Sequence, residues 1–310
     1  MENRKIVVAL GRDCFGNSFS EQKDNVRLAS KAVADVVEER YSVIVTHSNG
    51  QQLALIHSAM EDFAKEEEQK DVAPMSVCSA MSEGYIGFDL QNGIRTELLN
   101  RGIFKTVSTI ITQVKVSPFD KAFSKPTKKI GRILSKEEAD KMEASGKFVT
   151  EVEGGYRRVV ATPAPIDIYE MDAIRTLVDA GQVVIAAGGG GIPVLEQGTV
   201  LKGARSIIEK DATAGMLAQL SKAGTLLFVT GTEKAAAFYG TVKERLLDEV
   251  TLDTVKNLKL DNAFEGTGML PKIKAAITFL ENNNEGRVII TDMEHVSAAL
   301  KGRTGTIITA

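Results

Sequence analysis

The chain is poor in the residues that build metal centres and disulfide frameworks. Its 310 residues include two cysteines, Cys14 and Cys78, and three histidines, His47, His57 and His295. Their spacing matches neither a zinc site nor an HExxH helix, which argues against a structural metal and against a cystine-stapled domain. A basic excess is missing as well. The net charge of −3 and a pI near 5.8 exclude the cationic stripe that nucleic-acid binders display. No apolar run approaches the ~20 residues of a membrane span. Met1-Glu2-Asn3-Arg4-Lys5 leads into Ile6-Val7-Val8-Ala9-Leu10 without a signal-cleavage region, so the expected address is the cytoplasm. GxxxxGK[ST] and GxSxG are also absent, which removes a P-loop and a nucleophile elbow.

What remains is an ordinary soluble composition, 43% hydrophobic and 25% charged, in a chain long enough to bury a sizeable core. Strand-like and helix-like patterns alternate. Lys5 to Leu10 reads as a buried strand, and Val26, Ala29, Ala32, Val33, Val36 and Val37 recur at helical spacing between Ser20 and Arg40. The next strand is Val43 to Thr46. A helix from about Gln51, a long helix within Met75 to Arg101, a strand over Val107 to Val116 and a helix over Ile166 to Ala180 follow. The C-terminal half repeats the habit: helix Asp211 to Ala223, strand Thr225 to Thr230, helix Ile273 to Glu281, strand Val288 to Thr291. The pattern predicts an α/β fold with a mostly parallel sheet covered on both faces.

Four consecutive glycines, Gly188 to Gly191, follow the apolar run Val183-Val184-Ile185. Without Cβ atoms such a run lets an anion approach the backbone and leaves N–H groups to point into one space, although a plain turn between strands has the same composition. Between Pro118 and Pro165 the sequence turns to Lys, Glu, Pro and Gly, as in a lid or small subdomain, or in a solvated excursion. Lys128 lies within it. Lys210-Asp211 opens one helix, and Lys272, after Gly268-Met269-Leu270-Pro271, opens another; a lysine beside a helix N-terminus suits a transferring phosphoryl group. His47 reads as a hydrogen-bonded structural residue, Cys14 and Cys78 as plain thiols, and Lys65 to Lys70 as a solvated helix end.

Taken in order, these motifs resemble the carbamate kinases, of the amino-acid kinase fold, over nearly the whole chain. The stretches that carry the likeness are Val7 to Gly11, Val45-Thr46-His47, Asn49-Gly50, Ser82 to Leu90, Pro126-Thr127-Lys128 and Tyr156 to Val160. Gly188 to Val194, Lys210-Asp211, Met269 to Lys272 and Gly305-Thr306 continue it. The resemblance implies a three-layer αβα sandwich, one domain over 1–310 with a protruding lid subdomain at 118–165, and a homodimer. It implies phosphoryl transfer between ATP and carbamate with Mg²⁺, run toward ATP from carbamoyl phosphate in arginine or purine-derived catabolism. Carried over by position, Lys128, Lys210, Asp211 and Lys272 are the catalytic set. Gly11, Arg12, Asp13, Ser48, Asn49, Gly50 and Gly188 to Gly191 line the phosphate side, while Thr230, Tyr239 and Met269 fall where the family lodges its nucleotide. No residue is assigned to a metal.

The chain also departs from the family. Gly11-Arg12-Asp13 stands where Gly-Gly-Asn is usual, Ser48 and Gln51 where a glycine and a proline are usual, and Glu153-Gly154-Gly155 where Gly-Arg-Gly precedes the tyrosine. A carboxylate ~4 Å from another negative charge costs roughly 4 kcal/mol at an effective dielectric near 20. Either Arg12 or the metal offsets Asp13, or the acceptor is another small acid or carbamoyl compound. A non-catalytic nucleotide-binding paralogue is the third reading.

Overall fold

The computed structural model describes residues 4–16, 18–66 and 72–310. Most of the charged run Lys65 to Lys70 therefore lies outside the described residues.

An eight-stranded sheet carries the fold. Its spatial order is Glu249–Thr251, Thr306–Thr309, Arg287–Thr291, Thr225–Val229, Lys5–Leu10, Ser42–His47, Val183–Ile185 and Val107–Thr109. Every neighbouring pair is parallel except Arg287–Thr291 with Thr306–Thr309. Strand alternation then decides the layers. Val7 and Ala9 join Ile44, Leu226, Phe228 and Ile290 against the helices Lys210–Leu220 and Met269–Glu281. Ile6, Val8 and Leu10 point the other way, onto the helices Phe19–Glu38 and Met75–Asn100. Both faces are covered, which is why the strands are apolar throughout rather than alternating with polar residues. The result is the expected three-layer αβα sandwich.

The strand order reverses between Lys5–Leu10 and Thr225–Val229. From the first strand the chain steps outward to Ser42–His47; from the second it steps the opposite way to Arg287–Thr291. At such a point the carboxyl ends of parallel strands diverge and leave a crevice. Gly11 and Thr230 stand at its rim.

Two elements differ from the sequence reading. The single strand expected over Val107 to Val116 is two: Val107–Thr109 closes the large sheet, and Gln113–Val116 belongs to a separate four-stranded sheet with Val200–Gly203, Ile192–Gln197 and Pro165–Ile168. The break follows from the hydrogen bonds, since the Thr112 N–H leaves the ladder for the Glu83 carboxyl at 2.9 Å. The helix expected over Ile166 to Ala180 starts only at Met171, because Pro165–Ile168 pairs antiparallel with Gln113–Val116. Glu170 marks the change, accepting the Gln113 N–H at 2.7 Å.

Within 118–165 lie three antiparallel strands, in the order Lys128–Leu134, Gly155–Val160, Phe148–Val152, and the helix Lys136–Ala144. Ser135 and Glu138 fix the start of that helix by a reciprocal capping box. Glu153-Gly154 turns the hairpin with Gly154 at φ +84°, a backbone demand that glycine meets without strain. The segment meets the body through a small apolar seam of Leu53, Met75, Cys78 and Val160. Beside the seam Glu61 receives Lys147 at 2.6 Å and Arg158 at 3.4 Å. His57, opposed by burial and joined by Lys147, pulls the Glu61 carboxyl down to about 2.

Candidate active site

Two helices bring the lysines together. Lys210 and Asp211 occupy the first turn of Lys210–Leu220, and Lys272 the first turn of Met269–Glu281. The helices approach closely because residue 215 is glycine: a Cβ there would sit 3.3 Å from the Ala275 carbonyl oxygen. Asp211 then lies between two ammonium groups, Lys210 Nζ at 2.7 Å from Oδ1 and Lys272 Nζ at 3.1 Å from Oδ2. All three side chains are buried, and Phe228 from the central sheet lies beneath both lysines at 5.9 and 6.0 Å.

The charge balance is deliberate in its asymmetry, two cations on one anion. Burial, opposed by Asp211, lowers the Lys210 ammonium below its ordinary range. Burial pushes the Asp211 carboxyl upward, but the two lysines outweigh it and hold the group low. Lys210 Nζ is ion-paired with Asp211 at 2.7 Å, and no other acceptor reaches it among the described residues, which leaves part of its donor capacity unused. A buried cation with unused donors, beside two helix N-termini, is a receptor for an anion. Cys14 shares this neighbourhood, but burial pushes its thiol up to about 12, which leaves it an inert apolar filler.

The glycine run forms a tight turn with Gly189, Gly190 and Gly191 all at positive φ. Its glycines are demanded first by the protein itself. A Cβ at Gly188 would lie 2.2 Å from His47 Nε2, at Gly189 1.9 Å from the Asn49 amide, and at Gly190 2.7 Å from the Ile208 carbonyl oxygen. Fewer N–H groups are available than the composition suggested, since Gly190 donates to the Ala187 carbonyl and Gly191 to the Gly188 carbonyl. His47 is structural, as expected: its Nδ1 lies 3.2 Å from the Ser48 carbonyl, and burial lowers the ring to about 4. Asn49 donates to Ser82 Oγ at 2.8 Å, while Gly50 starts its helix in open space.

The remaining expected residues spread around this centre. Gly11 fits because a Cβ would strike the Val229 carbonyl oxygen at 2.7 Å. Arg12 and Asp13 form an exposed 3-10 turn after it, with the Asp13 carboxyl resting against Gly231. Lys128, from the three-stranded segment, reaches Glu209 at 2.6 Å, one residue before Lys210. Thr230 continues the central strand by donating to the Thr291 carbonyl at 2.8 Å. Met269 packs partly buried at the start of the Lys272 helix, whereas Tyr239 is 65% exposed to solvent.

Two acidic residues near the site carried no sequence-based role. Glu83, 1% exposed, accepts the Thr112 N–H beneath the glycine turn. Its signal was present, because Ser79, Glu83, Ile86 and Leu90 share the buried face of one helix, where a lone carboxyl needs a reason. Glu209 had no signal beyond its place next to Lys210.

Comparison with known proteins gives the family. The model of the amino acid kinase family matches residues 4–292. The carbamate kinase-like protein YqeA of Escherichia coli is 43% identical over 307 residues, covering 99% of both chains. Carbamate kinase 3 of Staphylococcus aureus is 42% identical over 306 residues, 98% of this chain and 99% of that one. Among solved structures, the carbamate kinase from Giardia lamblia bound to AMP-PNP superposes with a TM-score of 0.92 at 32% identity, covering 99% of each chain. The chain belongs to the amino acid kinase family, within its carbamate kinase group.

Proposed function

We propose that the protein is a carbamate kinase-type phosphotransferase, moving a phosphoryl group reversibly between ATP and carbamate. The observation that carries this reading is the buried Lys210–Asp211–Lys272 cluster, cationic in sum and set in the first turns of two helices. In the ATP-forming direction an oxygen of the ADP β-phosphate attacks the phosphorus of carbamoyl phosphate, the bond to the carbamoyl oxygen breaks, and carbamate leaves with that bonding pair. Lys210 and Lys272 offset the charge on the phosphoryl oxygens, and Asp211 holds both ammonium groups in place. Carbamate supplies its own nucleophilic oxygen in the reverse direction, so no protein base is needed.

Lys128 reaches the carbamoyl-phosphate side from the 118–165 segment, which acts as a lid, while Gly11, Ser48, Asn49, Gly50 and the turn Gly188 to Gly191 line that side. Thr230, Tyr239 and Met269 face the nucleotide. Mg²⁺ would come with the nucleotide and offset charge on its phosphates; among the described residues no three His, Cys, Asp or Glu side chains cluster, and Asp211 is engaged by two lysines.

A homodimer fits the outer face of the helix Met75–Asn100, where Val77, Met81 and Phe88 stay exposed at helical spacing around Gly84. No described helix is long and apolar enough to cross a membrane. A cytoplasmic role in arginine or purine-derived catabolism is the matching setting.

The exposed Asp13 carboxylate beside Gly231 favours a second reading, the same chemistry on another small acid or carbamoyl compound. ATP formation from ADP and carbamoyl phosphate, measured for the wild type and for Lys210→Ala, separates them. Turnover lost in the variant supports the first reading. ADP binding without turnover in the wild type supports the second, and neither binding nor turnover rejects both.

A further inference from the structure

Beneath the glycine turn lies a carboxyl group that the phosphoryl chemistry does not use. Glu83 projects from the middle of the helix Met75–Asn100 into the junction of three segments and is 1% exposed. One oxygen accepts the Thr112 N–H at 2.9 Å. The Gly188 N–H also faces the carboxyl and favours its charged form, but no donor meets Oε1 at hydrogen-bond geometry among the described residues. Thr112 in turn holds the turn from the other side, its Oγ1 accepting the Ala187 N–H at 2.9 Å, and Thr46 Oγ1 donates to the Ala187 carbonyl at 2.8 Å. Glu83 thus holds Thr112, and Thr112 and Thr46 fix Ala187, from which the turn departs, while the Gly188 N–H faces the carboxyl.

The charges around Glu83 do not support an anion. The charged group it feels is Glu170, of the same sign, at the start of the helix Met171–Asp179. Across Gly188 stands His47, kept neutral by its own burial. An isolated carboxylate in such a place is costly, and protonation removes the cost.

We propose that Glu83 is a positioning residue acting as an uncharged carboxylic acid, which braces the glycine turn through Thr112 and Gly188 while keeping negative charge out from under it. This rests on the reading of the turn as part of the anion-binding surface. An ionised Glu83 would repel the phosphoryl group that the turn receives. Burial accordingly pushes the carboxyl well above the usual carboxylate range.

Glutamine tests the protonation state, because an amide has one acceptor and one donor end, like the neutral acid and unlike the two-acceptor carboxylate. Urea unfolding of wild type and Glu83→Gln is followed at several pH values from 5 to 8. An acid whose folded pKa is raised stabilises the fold fully below its unfolded pKa and loses that contribution as pH rises toward the folded value. The ratio of the folding constant of Glu83→Gln to that of wild type should therefore grow about tenfold per pH unit above the ordinary glutamate range, then level off. A ratio that stays flat over this range overturns the uncharged state.

The positioning role is read from kinetics. Glu83→Ala should raise KM for carbamoyl phosphate at least about tenfold with ADP affinity unchanged, and Glu83→Gln should restore it. If the alanine variant does not fold, the pH dependence of KM decides: it should rise on the alkaline side in wild type and rise less in Glu83→Gln. Equal KM profiles in wild type and variants overturn the positioning role even if the stability ratio grows. Loss of phosphoryl transfer in Lys210→Ala reports on the phosphotransferase reading separately, since Lys210 lies outside this network.

Discussion

Replacing Asp211 with asparagine removes one negative charge and almost no volume from between two buried ammonium groups. Asp211 is 3% exposed, with Lys210 at 2.7 Å and Lys272 at 3.1 Å. Each contact is worth about 5–6 kcal/mol of Coulomb energy at an effective dielectric near 20. Most of that offsets desolvation, and deleting one partner of a buried pair costs about 3–5 kcal/mol. At roughly 2.1 cal/mol/K of unfolding entropy per residue, the apparent Tm of this chain should fall by about 5–8 °C. The variant should also depend on pH in a fixed direction. Burial already holds the Lys210 ammonium below its ordinary range, and without Asp211 it releases its proton more readily. A lysine with a lowered folded pKa destabilises the fold below that value and relieves the penalty as pH rises through it, so the variant should recover stability on the alkaline side. Inorganic phosphate should raise the Tm of the variant more than that of the wild type, because the anion supplies the missing counter-charge. Differential scanning fluorimetry over a pH and phosphate series measures all three effects. Asp211→Asn melting within about 1 °C of wild type, with the same phosphate shift, would refute the account of Asp211 as the counter-ion of the lysine pair.

Gly189→Ala forces a Cβ to 1.9 Å from the Asn49 amide at φ +66°, so it should cost about 1–3 kcal/mol and raise KM for carbamoyl phosphate. Wild-type urea midpoints and KM in the variant would count against the strained turn. His47, neutral when folded and lowered to about 4, contributes stability that is present above the ordinary histidine value of 6.5 and is lost as pH falls through 4. That amounts to about 3 kcal/mol, and a His47→Gln variant should lack this part of the acid dependence in matched urea titrations. Glu209→Gln frees Lys128 from a half-exposed pair that contributes about 0–1 kcal/mol. Stability should barely change while KM for carbamoyl phosphate falls about two- to fivefold; an unaltered KM would mean that Glu209 does not compete with substrate for Lys128.

The sequence by itself determined the layers. Apolar strands such as Lys5–Leu10 and Thr225–Val229 can be satisfied only with both faces covered, and the helical spacing of Val26, Ala29, Val33 and Val36 identifies what covers one of them. It also marked candidate groups, since lysines at two helix starts and a glycine run after a strand are legible locally. Tertiary structure alone decided what stands opposite each group. Lys272 reaches a carboxylate 61 residues away only because Gly215 lets two helices close, and Lys128 finds Glu209 across 81 residues. The strand expected through Val107 to Val116 breaks because a glutamate 29 residues earlier takes the Thr112 N–H. The glycines were legible as a turn, but His47, Asn49 and Ile208 require three of them, and those neighbours come from other elements. Periodicity reports which face of an element is buried. The lowering of Lys210 and the raising of Glu83 come from burial and nearby charges, and both are fixed only when distant segments pack.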